Sequence, residues 1–93
     1  MKKCNGKVVI VDNNRNVDSE MALCGFRMED VISILDDGFV IKKRKQGIFE
    51  KWLLCGRRIH IAVVEECEDY WLLRHVGNIR ASRKKLKLIR GDK

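Results

Sequence analysis

The sequence predicts an α+β fold of order β-α-α-β-β-β-β, a helical hairpin packed on a four- to five-stranded antiparallel sheet. Three observations predict it. Lys7–Val11 is a β-branched run that prefers an extended backbone. Met28, Val31, Ile32 and Leu35 stand at i, i+3, i+4 and i+7, which is one face of a helix. After Gly38 the apolar residues fall into four segments separated by short turns, and strands so joined must run antiparallel. A chain of 93 residues, 45% hydrophobic and 35% charged, has the size and balance of one globular domain.

Each element has a local reason. The strand Lys7–Val11 ends in Asp12-Asn13-Asn14-Arg15-Asn16, where Asn and Asp bond their own main chain and favour a turn. Asp18 or Ser19 is placed to cap the first helix, which Met21, Ala22 and Leu23 continue. Gly25 suits the position just past its end. The second helix covers Met28–Asp37, with Glu29 and Asp30 at the favourable end of its dipole, and Gly38 stops it. A strand then runs from Phe39-Val40-Ile41 into Lys42-Lys43-Arg44-Lys45, with Gln46-Gly47 as its turn. Further strands are expected over 48–55, 59–65 and 70–76, joined by Gly56-Arg57-Arg58 and by Glu66-Cys67-Glu68-Asp69.

The charge is unevenly spread. The formal total is +7, and such an excess points to an anionic partner, nucleic acid first. Residues 80–93 hold seven basic residues against Asp92, or +6, which leaves +1 for residues 1–79. The chain therefore reads as a 1–79 domain followed by a basic 80–93 tail, which Leu86, Leu88 and Ile89 could tether as a final strand or a short helix. Arg80, Arg83, Lys84, Lys85, Lys87 and Arg90 are the candidate nucleic-acid contacts, and a solvated or partner-binding face is the plainer reading of the same run. The turn Arg57-Arg58 and the run 42–45 are expected at opposite ends of the sheet.

Other function classes find little footing. Cys4, Cys24, Cys55 and Cys67 include no CxxC pair, so reduced thiols are expected and no metal or other cofactor. The acidic loop 65–69 lacks the alternating ligands and glycine of a calcium site. No apolar run approaches the roughly 20 residues of a membrane helix, so no membrane partner is expected and the cytoplasm is the expected compartment. No P-loop or dinucleotide-binding glycine pattern is present.

A helical hairpin followed by a small antiparallel sheet in a short basic chain resembles the RelE/ParE-like toxin superfamily. The nearer resemblance is to a small uncharacterised family placed beside it. It is carried by the segment from Cys24-Gly25-Phe26-Arg27 to Asp37-Gly38 and by that from Cys55-Gly56-Arg57-Arg58 to Val63-Val64, within about residues 17–79. Active members of the superfamily cleave messenger RNA on the ribosome or act on gyrase, and an antitoxin commonly neutralises them. The resemblance thus implies RNA or the ribosome as a partner, an acidic antitoxin-like protein as another, and an mRNA-interferase-like ribonuclease as the activity.

Such cleavage needs positive charge on the phosphate, a base for the 2′-hydroxyl and an acid for the leaving oxygen. His75, Arg74 and His60 are the candidates, with Tyr70 and Arg80 nearby. Pairing Glu65 with Tyr70 across the acidic loop sets His60 opposite His75, on one face with Ala62, Leu73 and Trp71. The plainer reading holds each histidine half-buried and hydrogen-bonded in the sheet. Trp52, Tyr70 and Trp71 are candidates for base stacking, though strand aromatics usually serve the core.

Overall fold

A computed structural model describes the backbone of residues 3–4, 7–12, 16–45 and 47–90, and the side chains of 7–12, 16–41 and 47–89. The expected turn residues Asn13, Asn14, Arg15 and Gln46, the side chains of 42–45 and of Arg90, and residues 91–93 lie outside that description. The elements are β1 (Lys3–Cys4), β2 (Lys7–Val11), α1 (Val17–Cys24), α2 (Met28–Asp37), β3 (Phe39–Lys45), β4 (Ile48–Cys55), β5 (Arg58–Glu66), β6 (Tyr70–Arg80) and α3 (Arg83–Arg90).

The fold is α+β, and its sheet differs from the expected one. Among the described residues, six strands run in the order β1-β2-β6-β5-β4-β3. The four strands after Gly38 form the expected antiparallel meander. However, β2 joins the outer side of β6 in parallel, Val8 opposite Tyr70 and Val11 opposite Leu73, so the sheet is mixed. Short turns dictate antiparallel pairing only between consecutive strands. Between β2 and β6 the chain makes two helices and three strands, which leaves either direction open.

Helix α1 starts at Val17, so its cap position lies two residues before Asp18, the first of the expected caps. Asn16 occupies the cap position, and its carbonyl accepts from Glu20 N at 3.0 Å, while Asp18 and Ser19 lie within the helix. Val17 is fully buried, and starting there brings it into the core. Gly25 has φ 71°, and the Gly25 and Phe26 amides return to the Ala22 and Met21 carbonyls. Helix α2 buries Val31, Ile34 and Leu35; Ile34 is fully enclosed, while Ile32 is only partly covered. Gly38 follows because nothing larger fits: a Cβ there would stand 2.3 Å from the Ile34 carbonyl oxygen.

The two faces of the sheet carry separate cores. On one, α1 and α2 cover Val9, Ala62, Val64, Trp71, Leu73 and Val76. On the other, Ile89 of α3 meets Trp52 and Ile59, with Ile61, Ile79 and Ala81 around them. The described part of the tail is therefore a strand end and a helix, and the helix is seated on the sheet.

The β5–β6 register departs from the expected one. Glu66 pairs with Trp71 rather than Glu65 with Tyr70, because the turn is closed by Cys67 N donating to the Tyr70 carbonyl at 2.9 Å. A bulge between Val63 and Val64 then inserts Arg74 and adds one more place of slip. His60 consequently faces Asn78, and His75 faces Val63. The odd slip also exchanges neighbours: Val76, not His75, joins Ala62, Leu73 and Trp71 in the helix-side core. β6 continues past the expected end at Val76 because Gly77, Asn78 and Ile79 pair in turn with Ile61, His60 and Ile59.

Candidate nucleic-acid interface

The site begins at the β4–β5 turn. Cys55 pairs with Arg58, leaving Gly56 and Arg57 as a two-residue hairpin turn. Such turns need a positive φ at the first position, and Gly56 supplies 63°. Arg57 is thereby held at the tip, and its carbonyl accepts from Ala81 N at 2.9 Å. That bond ties the end of β6 to the turn. Ser82 then starts α3: its Oγ accepts from Lys85 N at 3.3 Å and its carbonyl from Leu86 N at 2.8 Å.

These links bring two basic segments together that are 23 positions apart in sequence, counting from Arg57 to Arg80. Arg58 and Arg80 are direct register partners, and both are exposed. Like charges placed directly opposite on a ladder repel. Along α3, Leu86 and Ile89 turn inward, which leaves Arg83, Lys84 and Lys87 exposed and Lys85 half-covered. Among the described residues, no ion pair or side-chain hydrogen bond engages Arg57, Arg58, Arg80, Arg83, Lys84 or Lys87.

Three cations of the body are engaged, whereas Arg27, exposed at the start of α2, has no ion pair among the described residues. Lys7 Nζ lies 3.2 Å from Glu66, donates to the Cys67 carbonyl at 2.9 Å and stands 5.2 Å from the Trp71 ring centre. Lys51 Nζ donates to the Leu35 carbonyl at the end of α2, at 2.6 Å. Arg74 Nη1 donates to Glu65 Oε1 at 2.6 Å. Among the described residues, most of the cations without an ion pair therefore lie at one end of the sheet.

The candidate catalytic residues do not converge. Val63, the partner of His75, lies three residues beyond His60 on β5, about 10 Å along the strand. The His60 ring packs on Phe26 with centroids 4.6 Å apart. His75 Nδ1 is 3.3 Å from Glu20 Oε2, and the other oxygen of that carboxylate accepts from Val76 N at 3.1 Å. Arg74 is occupied by Glu65. Tyr70 has its hydroxyl pushed above the usual phenol range, chiefly by a hydrogen bond with Cys67. Trp52 and Trp71 are buried in separate clusters, so neither offers an open stacking face.

Comparison with models of protein families, with curated proteins and with solved structures finds no match. Among the described residues, no helix is long and apolar enough to cross a membrane. The Arg58–Arg80 pairing was hidden from sequence reading because it depends on the bulge at Arg74. Leu86 and Ile89, at i and i+3 after Ser82, were the visible sign of α3.

Proposed function

We propose that this protein is a non-catalytic nucleic-acid-binding module, RNA being the leading partner, which holds phosphates at the end of the sheet where the β4–β5 turn meets α3. The observation that carries the reading is the set of exposed cations that no acidic side chain pairs among the described residues, centred on Arg58 opposite Arg80. A phosphate backbone relieves that repulsion, and guanidinium groups grip phosphate oxygens in a fixed fork.

The test is the salt dependence of binding to a labelled RNA oligonucleotide, read by fluorescence anisotropy. Four to six phosphate contacts on a single strand give a slope of log K against log salt of about −3 to −4. Arg83→Gln, Lys84→Gln and Lys87→Gln together should flatten that slope. Substitution is preferable to removal of residues 80–93, because removal also takes Ile89 from the Trp52 and Ile59 cluster. No RNA or DNA binding at low salt would refute the reading.

A second reading, kinship with RelE/ParE-like toxins, is favoured by the order strand, two helices, then an antiparallel meander. On that reading overexpression arrests growth and messenger RNA is cut on the ribosome, and an acidic antitoxin-like protein covers the cationic end. If the activity uses the implied residues, an Arg74→Ala, His75→Ala double variant abolishes the cutting.

A further inference from the structure

Beside the Arg58–Arg80 pair lies a cleft of ≈ 390 Å³, lined by Leu54, Gly56, Arg57, Arg80, Ala81 and Leu86. We propose that this cleft receives one unpaired base of a single-stranded nucleic acid, with the adjoining phosphates on Arg57 and Arg80. The inference rests on the nucleic-acid reading above and names the form of nucleic acid it prefers.

The lining is divided in its chemistry. Leu54, Ala81 and Leu86 supply an apolar floor, and Arg57 and Arg80 supply guanidinium groups that no acidic side chain engages among the described residues. A nucleotide is divided the same way, a flat ring joined to an anion. Guanidinium planes both stack on rings and grip phosphates. The volume falls within the range of small-ligand sites. Gly56 contributes no side chain to the wall, and its backbone has open space around it.

Two further features favour a strand over a free nucleotide or another amphiphilic anion. Exposed cations continue beyond the cleft, with Arg58 across from Arg80 and Arg83, Lys84 and Lys87 along α3. Arg83 and Lys87 are one helical turn apart, about 6 Å along the axis, so they form a track rather than a point. A duplex keeps its bases stacked, whereas recognition of single strands works on bases splayed out of the stack. Among the described residues, the lining includes no imidazole, carboxylate or thiol, which suits holding a strand rather than cutting it.

The experiment compares three labelled RNAs at one salt concentration: a short single strand, a blunt duplex of the same sequence, and the single strand with its central base removed. The single strand should bind more tightly than the duplex. Loss of the central base should weaken binding at least about fivefold, the lower end of what one stacked base contributes. Leu54→Gln, which alters the floor without altering charge, should erase the preference and leave the salt slope unchanged. Equal affinity for strand and duplex, or no effect of the missing base, overturns the cleft assignment while leaving phosphate binding in place. The RNA lacking a base does not depend on any protein variant folding. Absence of binding to all three RNAs overturns the nucleic-acid reading itself.

Discussion

Ile89→Ala asks whether one side chain holds α3 on the sheet. Ile89 is 8% exposed and packs on Trp52 and Ile59. The change removes three carbons, at about 0.8 kcal/mol for each buried methylene. A cavity term adds to this, and settling of a surface helix subtracts from it, so about 2.4 kcal/mol is expected. An isolated helix of eight residues is marginal in water, so the loss should fall on α3. The helix-side core contains no residue of α3 and should hold. A change of that size shifts the docking equilibrium about fiftyfold. Amide hydrogen exchange is the assay: protection over 86–90 should drop by that factor while β5 and β6 keep theirs. In a Trp71→Phe background, Trp52 emission should move to longer wavelength as α3 lifts. Unchanged protection in α3, or an equal loss across the whole sheet, would show that the helix is not held separately by this contact.

Three other perturbations test the remaining contacts. Gly38→Ala should destabilise by about 3 kcal/mol or prevent folding, because the new Cβ meets the Ile34 and Trp52 carbonyl oxygens at 2.3 and 3.0 Å and neither can rotate away. A thermal melt within a degree of the parent would contradict this. Glu20→Ala strips the acceptor from Val76 N and should cost about 1–3 kcal/mol in urea unfolding, whereas Glu20→Gln keeps an acceptor and should cost less. Equal losses would mean that charge, not hydrogen bonding, matters there. Burial, then the nearby Glu20 and Asp30 charges, pushes the Cys24 and Cys55 thiols above their ordinary value of 9.0. A raised pKa means less thiolate at pH 8, so both should alkylate more slowly in the folded protein than after denaturation, as mass spectrometry can follow. Folded and denatured rates that coincide would remove the assignment.

Local structure was largely legible in the sequence, and geometry between distant segments was not. The bounds of α2 follow from apolar spacing that ends at Gly38. The strands Lys7–Val11 and Ile48–Cys55 follow from runs bounded by turn residues. The β5–β6 register is not legible because an acidic loop of four residues admits more than one pairing, and one of its residues, Glu66, belongs to β5. No residue type announces the bulge at Arg74, yet it alone reverses which of His75 and Val76 joins the core. The parallel docking of β2 was equally invisible, since it satisfies edge groups of β6 that periodicity does not report. The concentration of charge in 80–93 is legible in the sequence. Its meeting with Arg57 and Arg58 emerged only once β6 was seen to run to Arg80.

The parallel pairing of β2 with β6 has a consequence for the order of folding. Val8 meets Tyr70, 62 residues later, so the second strand the ribosome makes must wait for the last. Closing so long a loop is entropically costly, and contacts of that separation form late. The meander of β3 to β6 and the hairpin of α1 and α2 are local and can assemble first. Until β6 emerges, β2 has only the two-residue β1 beside it, and α1 lacks the strand on which it chiefly packs. Chains ended before Tyr70 should therefore be digested readily by protease at β2 and α1, the two elements that β6 joins to the rest of the fold.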